Sequence, residues 1–322
     1  MEKDQINVTS SAAKSKKWSL KKKLALGGVI ALVVIGLAVG LGVGLTVGRS
    51  GSGSDDNDSD NSNEDDGDNS VRKETWRPKV GSAWQITLIK PLDMKKDLIP
   101  DINIYDLDLF DNSKSTFDAL HKKGKKVICY FSAGSYEKWR DDAKDFKKSD
   151  LGKPLDGWPG EKWVKLSSTN VRNIMKKRIK YAADKGCDAI DPDNVDGFQN
   201  DNGLNLKASD SISFMKFLAK EARRHKMSIG LKNAGDIIQD VLPDMDFSVN
   251  EQCVEYSECE TFAAFIEDDK PVFNIEYPTR KSAYREICSK KGKARGTKGF
   301  SIVIKDMDLD RKVEYCNGKK YS

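Results

Sequence analysis

A chain of 322 residues that is 38% hydrophobic, with 12 Phe, 9 Tyr and 6 Trp, can bury a sizeable core, which excludes a wholly disordered protein. The net charge is +5, but the bases are scattered along helical stretches such as "MKKRIK" rather than interleaved with exposed aromatics, so no nucleic-acid partner is expected. No P-loop, dinucleotide fingerprint, CxxC zinc pattern or HExxH occurs, and no cofactor or metal is expected.

Residues 1–23 form a basic tail, and Leu24–Gly48 is an uncharged apolar run, long enough to cross a bilayer as a helix with some tilt. Lys14, Lys16, Lys17, Lys21, Lys22 and Lys23 precede the run and Arg49 alone follows it closely. The positive-inside rule then predicts a signal-anchor helix over 24–48 with a cytosolic N-terminus. That makes a single-pass type II protein of the plasma membrane, its remainder extracellular or wall-facing, whether retained or shed. A cleaved signal peptide is the alternative, although its apolar core would be shorter, roughly 7 to 15 residues. Gly36, Gly40, Gly44 and Gly48 line one helix face, which suits transmembrane self-association as well as the ordinary glycine content of membrane helices. Residues 49–70, almost all Ser, Gly, Asn and acid, cannot bury anything and read as a disordered acidic linker.

Residues 71–322 have about the length of one (β/α)8 TIM barrel. Eight short β-rich runs follow: "WQITLI" from 84, "INIYDLDL" from 102, "KVICYFS" from 126, "DAIDPD" from 188, "SIGLKN" from 228, "DFSVNE" from 246, "PVFNIEY" from 271 and "GFSIVIK" from 299. Amphipathic stretches such as "VRNIMKKRIKYAADKG" and "SISFMKFLAKEARRHK" separate most of them, the pattern of an α/β fold with a parallel barrel. An open doubly wound sheet is the rival, without its usual nucleotide fingerprint. The long connection 133–169 is expected to decorate one mouth of the barrel. Six cysteines, all outside the membrane by this topology, predict disulfides. Cys253 and Cys259 are close enough to clip a short loop, and the other pairings stay open.

A parallel barrel gathers its active site where the strands end. The polar residues at those ends are Asp106, Asp108, Tyr130, Ser132, Asp191, Asp193, Lys232, Asn233, Glu251, Glu276, Tyr277, Lys305 and Asp306. The only histidines, His121 and His225, fall in basic helix ends, where cations are favoured, so His-dependent nucleophilic catalysis is not expected. Acid–base work falls to carboxylates, and two of them facing a scissile bond are what glycoside hydrolysis requires.

"VICYFSAGSYE", "LGKPLDGWPGE", "GCDAIDPDNVDGFQND", "GLKN", "VNEQCVEY" and "VFNIEY", in that order over about residues 80–278, resemble glycoside hydrolase family 114, the endo-α-1,4-polygalactosaminidases, and in particular fungal membrane-tethered members. The resemblance implies a (β/α)8 enzyme that cuts galactosamine-rich stretches of galactosaminogalactan, a cationic polysaccharide of fungal walls and biofilms. It maps the catalytic aspartate onto Asp193 and the catalytic glutamate onto Glu251, with Asp193 as nucleophile if the mechanism is retaining. Tyr130, Asp191, Asn194, Asp196, Lys232 and Glu276 are the expected substrate contacts. Asp191 serves equally well to hold a lysine, Asp196 to form a turn before Gly197, Tyr130 to fill the barrel, and Trp158 to pack a turn. Asp188 is expected to be structural. An acidic cleft suits an ammonium-bearing polymer, and the lysine-rich "KKGKARGTKG" is expected on the rim or far face. A non-catalytic, lectin-like barrel is the alternative. A metal-dependent esterase or deacetylase lacks nearby histidines, and a weak calcium site on Asp and Asn oxygens stays open.

Overall fold

The computed structural model describes residues 75–322, so the basic tail, the predicted anchor helix and the acidic linker lie outside the described residues. Among the described residues, no helix is long and apolar enough to cross a membrane.

Eight parallel strands form the centre: β1 (Trp84–Thr87), β2 (Ile104–Asp108), β3 (Lys126–Ser132), β7 (Ala189–Asp193), β8 (Ser228–Lys232), β9 (Phe247–Glu251), β10 (Val272–Glu276) and β11 (Ser301–Ile304). Each of the eight expected apolar runs contains one of them. Three more strands, β4 (Ser135–Glu137), β5 (Leu151–Pro154) and β6 (Glu161–Val164), make a small antiparallel sheet inside the long connection. β12 (Val313–Tyr315) and β13 (Lys320–Tyr321) extend β11 antiparallel, giving a curled ten-stranded mixed sheet consistent with a (β/α)8 barrel. The β1–β11 seam is tied by side chains: the Trp84 indole donates to the Ser301 carbonyl at 2.8 Å and the Tyr315 hydroxyl to the Trp84 carbonyl at 2.8 Å.

The helices follow from local sequence. α1 (Lys114–Lys122) starts at Ser113, whose hydroxyl accepts from Thr116 N. α2 (Thr169–Lys185) buries Val171, Ile174, Met175, Ile179 and Ala182 at three- and four-residue spacing and stops at Gly186, whose φ of 93° is left-handed. α3 (Ala208–Arg224) buries Phe214, Met215, Leu218, Ala219 and Ala222 in the same way. Later crossovers are shorter: α4 (Ile238–Val241), α5 (Cys253–Tyr256), α6 (Cys259–Glu267) and α7 (Lys281–Ile287). No helix joins β1 to β2, where Pro91 and Pro100 interrupt the connection.

The six cysteines pair as Cys253–Cys259, as spacing suggested, and as Cys129–Cys187 and Cys288–Cys316. Cys129–Cys187 ties β3 to the chain two residues before β7, the two strands that carry Tyr130 and Asp193. Replacing this pair by alanines is expected to cost about 4 kcal/mol, because the bond closes a long loop, spanning 58 residues, in the unfolded chain. Urea unfolding of the double variant against wild type checks this; an unchanged midpoint would contradict it.

Candidate active site

Side-chain alternation sets the inward face. Ser132 is the register partner of Asp193, and Tyr130 of Asp191, so Asp191 and Asp193 share one face of β7. Gly230 partners Phe247, whose ring occupies the space a Gly230 Cβ would need, and that aligns Lys232 and Glu251 along the same face at their strand ends.

Lys232 is the junction. Its Nζ lies 3.1 Å from Asp193 Oδ1 and 3.2 Å from Glu251 Oε2. The Tyr130 hydroxyl donates to Asp193 Oδ2 at 2.7 Å, and the Tyr277 hydroxyl to Glu251 Oε1 at 2.5 Å. Asn233 donates to Glu251 Oε2 at 3.2 Å and accepts from Glu251 N at 2.9 Å, fixing that side chain from two directions. Lys232 is 4% exposed, whereas Asp193 and Glu251 are 16% and 25% exposed and open to a ligand. Burial alone would neutralise Lys232, but Asp193, Glu251 and Asp191 outweigh it and raise its pKa well above the usual value. Burial alone would likewise raise Asp193. Lys232 and the Tyr130 hydroxyl prevail and hold this carboxylate below its ordinary range.

Beneath this pair, Asp191 and Asp106 are fully buried, and their carboxyl groups have only each other as hydrogen-bond partners among the described residues. Burial lifts Asp191 to about 7 against the pull of Lys232, and burial followed by the charge of Asp191 lifts Asp106 well above its usual value. Asp196, at the head of the turn that includes Gly197, is raised to about 6 by burial and then by Asp193. Thus one ionised aspartate stands among carboxyls held protonated at mildly acidic pH.

Asn194 braces the site from behind. Its Nδ2 donates to Ser132 Oγ at 2.9 Å and Ser135 Oγ at 3.3 Å, while the Asp193 carbonyl accepts from Ala133 N and Gly134 N. The Asn194 carbonyl packs where a Gly134 Cβ would lie at 1.7 Å, so glycine is required there.

Other residues read from the sequence are placed differently. Glu276 faces away from the cleft: its Oε1 accepts from Val254 N at 2.9 Å and Asn274 Nδ2 at 3.0 Å, behind the sheet at α5. The next residue, Tyr277, reaches Glu251 instead. Asp108 is bonded to Arg140 at 2.6 Å, and Lys305 is buried at the seam on Gln85 Oε1 and the Asp310 carbonyl. Asp188 is structural, bonded to His121, Lys126 and Val127 N. Trp158 is 57% exposed and Trp139 51%, both in the connection that carries β4–β6. The lysine-rich 290–299 begins on the rim at the site end, where Gly292–Ala294 packs against α5 (Cys253–Tyr256) and Arg295 bonds Glu260 at 2.9 Å, and runs from there along α6 to the start of β11. Glu137, Arg140 and Glu161 were not anticipated; the like-charged "SYE" and "GE" stretches of the connection were the available signal.

Two groups of three metal-ligating residues occur among the described residues. Cys253, Cys259 and Glu276 form one, its sulfurs already joined in a disulfide, and Asp306, Asp308 and Asp310 after β11 form the other; neither contains Asp193 or Glu251.

A parallel barrel whose strand ends hold two carboxylates around one ammonium suits glycoside hydrolysis. The chain belongs to glycoside-hydrolase family GH114, whose sequence model matches residues 66–321. It is similar to Aspergillus fumigatus Ega3, solved in complex with galactosamine, at 54% identity and a TM-score of 0.71, covering 76% of this chain and 98% of that one. The glycoside hydrolase domain of PelA from Pseudomonas aeruginosa shares the fold at 12% identity and a TM-score of 0.56, covering 71% of this chain and 96% of that domain. Comparison with curated protein sequences returned no match.

Proposed function

We propose that the enzyme is an endo-acting hydrolase of α-1,4-linked galactosamine stretches in galactosaminogalactan, working with retention. The observation that carries this reading is Lys232 held between Asp193 and Glu251. Both carboxylates touch one nitrogen at 3.1 and 3.2 Å, so their contacting oxygens lie closer than the roughly 6.5–9.5 Å carboxyl separation of inverting enzymes. Asp193 attacks the anomeric carbon as the glycosidic bond breaks, and Glu251 gives its proton to the departing oxygen. Glu251 then takes a proton from water, whose oxygen displaces Asp193 from the sugar.

The likeness to a protein solved with galactosamine supports the amino-sugar substrate. Charge does too. Residues 194–206, 233–243 and 252–269, which follow β7, β8 and β9, contain no Lys or Arg, yet hold Asp196, Asp236, Glu255 and Glu258. This sector of the mouth attracts ammonium groups, and the attraction weakens as salt rises. The Leu24–Gly48 run and the acidic segment after it support a membrane-anchored enzyme whose tether reaches wall polysaccharide; resistance to alkaline extraction from membranes tests that placement.

The catalytic reading is tested with partially deacetylated galactosaminogalactan. New internal cuts are expected, with the first-formed reducing ends in the α configuration by NMR. First-formed β ends would replace retention by inversion, and binding without cleavage would favour a lectin-like barrel.

A further inference from the structure

The small sheet of β4, β5 and β6 carries a carboxylate that the reaction above does not use. Glu137 and Glu161 are direct partners across the antiparallel β4–β6 pair, a placement that sets like charges opposite each other and is destabilising. Arg140 answers Glu137 at 3.0 Å. Glu161 pairs with no base among the described residues: it is 8% exposed, and its Oε2 accepts only the Ser135 hydroxyl, at 2.8 Å. Its Oε1 makes no hydrogen bond among those residues and is not sealed from solvent. Burial leads in raising its pKa to about 7, with Glu137 and Asp193 adding to the rise and Ser135 opposing it.

The location connects this carboxyl to the reaction. Ser135 Oγ lies 2.5 Å from Ser132 Oγ, and Asn194 donates to both hydroxyls. Ser132 is the register partner of Asp193, and Asn194 follows Asp193 in the chain. Glu161 is thereby tied, through Ser135 and Ser132, to the strand end that carries the nucleophile, near enough for the Asp193 charge to act on it.

We propose that Glu161 binds the ammonium group of a galactosamine unit lodged next to the scissile bond, which makes it a residue that selects free amino sugar over N-acetylated sugar. A buried carboxylate without a base is costly until a cation completes it, and an ammonium supplies both the charge and the hydrogen-bond donors. An N-acetyl group supplies no charge. The inference rests on the amino-sugar reading above.

Calorimetry on the full-length protein separates the two ideas, because the monosaccharide galactosamine binds without being cleaved. Glu161→Gln is expected to weaken galactosamine binding about tenfold, to leave N-acetylgalactosamine binding unchanged, and to melt no lower than wild type. Glu161→Asp, which keeps the charge at shorter reach, is expected to retain part of the preference. Equal losses for both sugars, or none for either, overturn the assignment. Polymer cleavage reports on the reaction independently. A wild type that discriminates the sugars through Glu161 but cuts no polymer keeps this assignment and sinks the proposed reaction, whereas cleavage with an indifferent Glu161→Gln does the reverse.

Discussion

Replacing Asp193 by asparagine is expected to lower the cleavage rate by about 10⁴-fold or more while the domain stays folded. The amide preserves the shape of the side chain, with its oxygen facing Lys232 and its NH2 able to donate to the Tyr130 hydroxyl oxygen, which sits at 2.7 Å in the native site. It cannot attack the anomeric carbon. Lys232 keeps Glu251 as a partner at 3.2 Å, so its buried charge is not left alone. The loss should therefore appear in kcat more than in KM. Glu251→Gln removes the proton donor and is expected to cost about 10²- to 10⁴-fold, with the Tyr277 and Asn233 contacts available to the amide. Reducing-end assays beside thermal melts check both variants. Substantial activity in a folded Asp193→Asn would transfer the nucleophile's role to another carboxyl, with Asp196 and Asp191 the nearest candidates along the chain.

Asp191→Asn is expected to stabilise the domain, and to do so more strongly as the pH rises. Burial lifts the Asp191 pKa from its ordinary 3.8 to about 7. Between those values the folded protein holds a proton that the unfolded chain has released, so this group's contribution to stability is intact below the lower value and falls as pH rises through the higher one. At pH 8 the penalty is on the order of 4 kcal/mol, since each tenfold change in proton affinity is worth about 1.4 kcal/mol. Asparagine resembles the protonated acid in shape and never ionises, so it escapes the penalty. Urea unfolding at pH 4 and pH 8 should show little difference from wild type at the lower pH and a raised midpoint at the higher one. A lowered midpoint at pH 8 would mean that Asp191 is instead ionised and paired in the folded protein. Its position below Lys232, on the same face as Asp193, makes the variant informative for catalysis as well: a neutral group there leaves Lys232 to Asp193 and Glu251.

Much of the fold was legible because each barrel strand is a short apolar run bounded by turn residues, and the long helices repeat buried positions every three or four residues. "VRNIMKKRIKYAADKG" became α2 because its apolar stripe, its serine cap and its terminal glycine all agree. The connection 133–169 was less readable. Its strands β4, β5 and β6 are three or four residues long, too short to establish an alternating pattern, and they hold lysines and acids at positions a core strand would fill with apolar residues. Two of the three disulfides were also beyond the sequence, since Cys129 and Cys187 become neighbours only once β3 and β7 pair.

The candidate catalytic pair illustrates the division. From the sequence alone came eight parallel strands, carboxylates at the strand ends, histidines outside the barrel mouth, and Asp193 and Glu251 as the foremost candidates. The strands, the carboxylates and the histidines rest on local pattern and on the kinds of residue present, whereas the choice of Asp193 and Glu251 among so many acids came from the family motifs. Tertiary structure decided which neighbours complete them. Glu276 and Tyr277 differ by one position, and in a strand one position reverses the face, so the tyrosine meets Glu251 while the glutamate braces α5 from behind. Lys232 joins Asp193 to Glu251 only because β7, β8 and β9 lie side by side in register, and Glu161 comes near the strand end that carries the nucleophile only because the small sheet is tied to it through Ser135, Ser132 and Asn194. Such contacts depend on distances between segments far apart in the chain, which residue order does not express and packing of the whole barrel does.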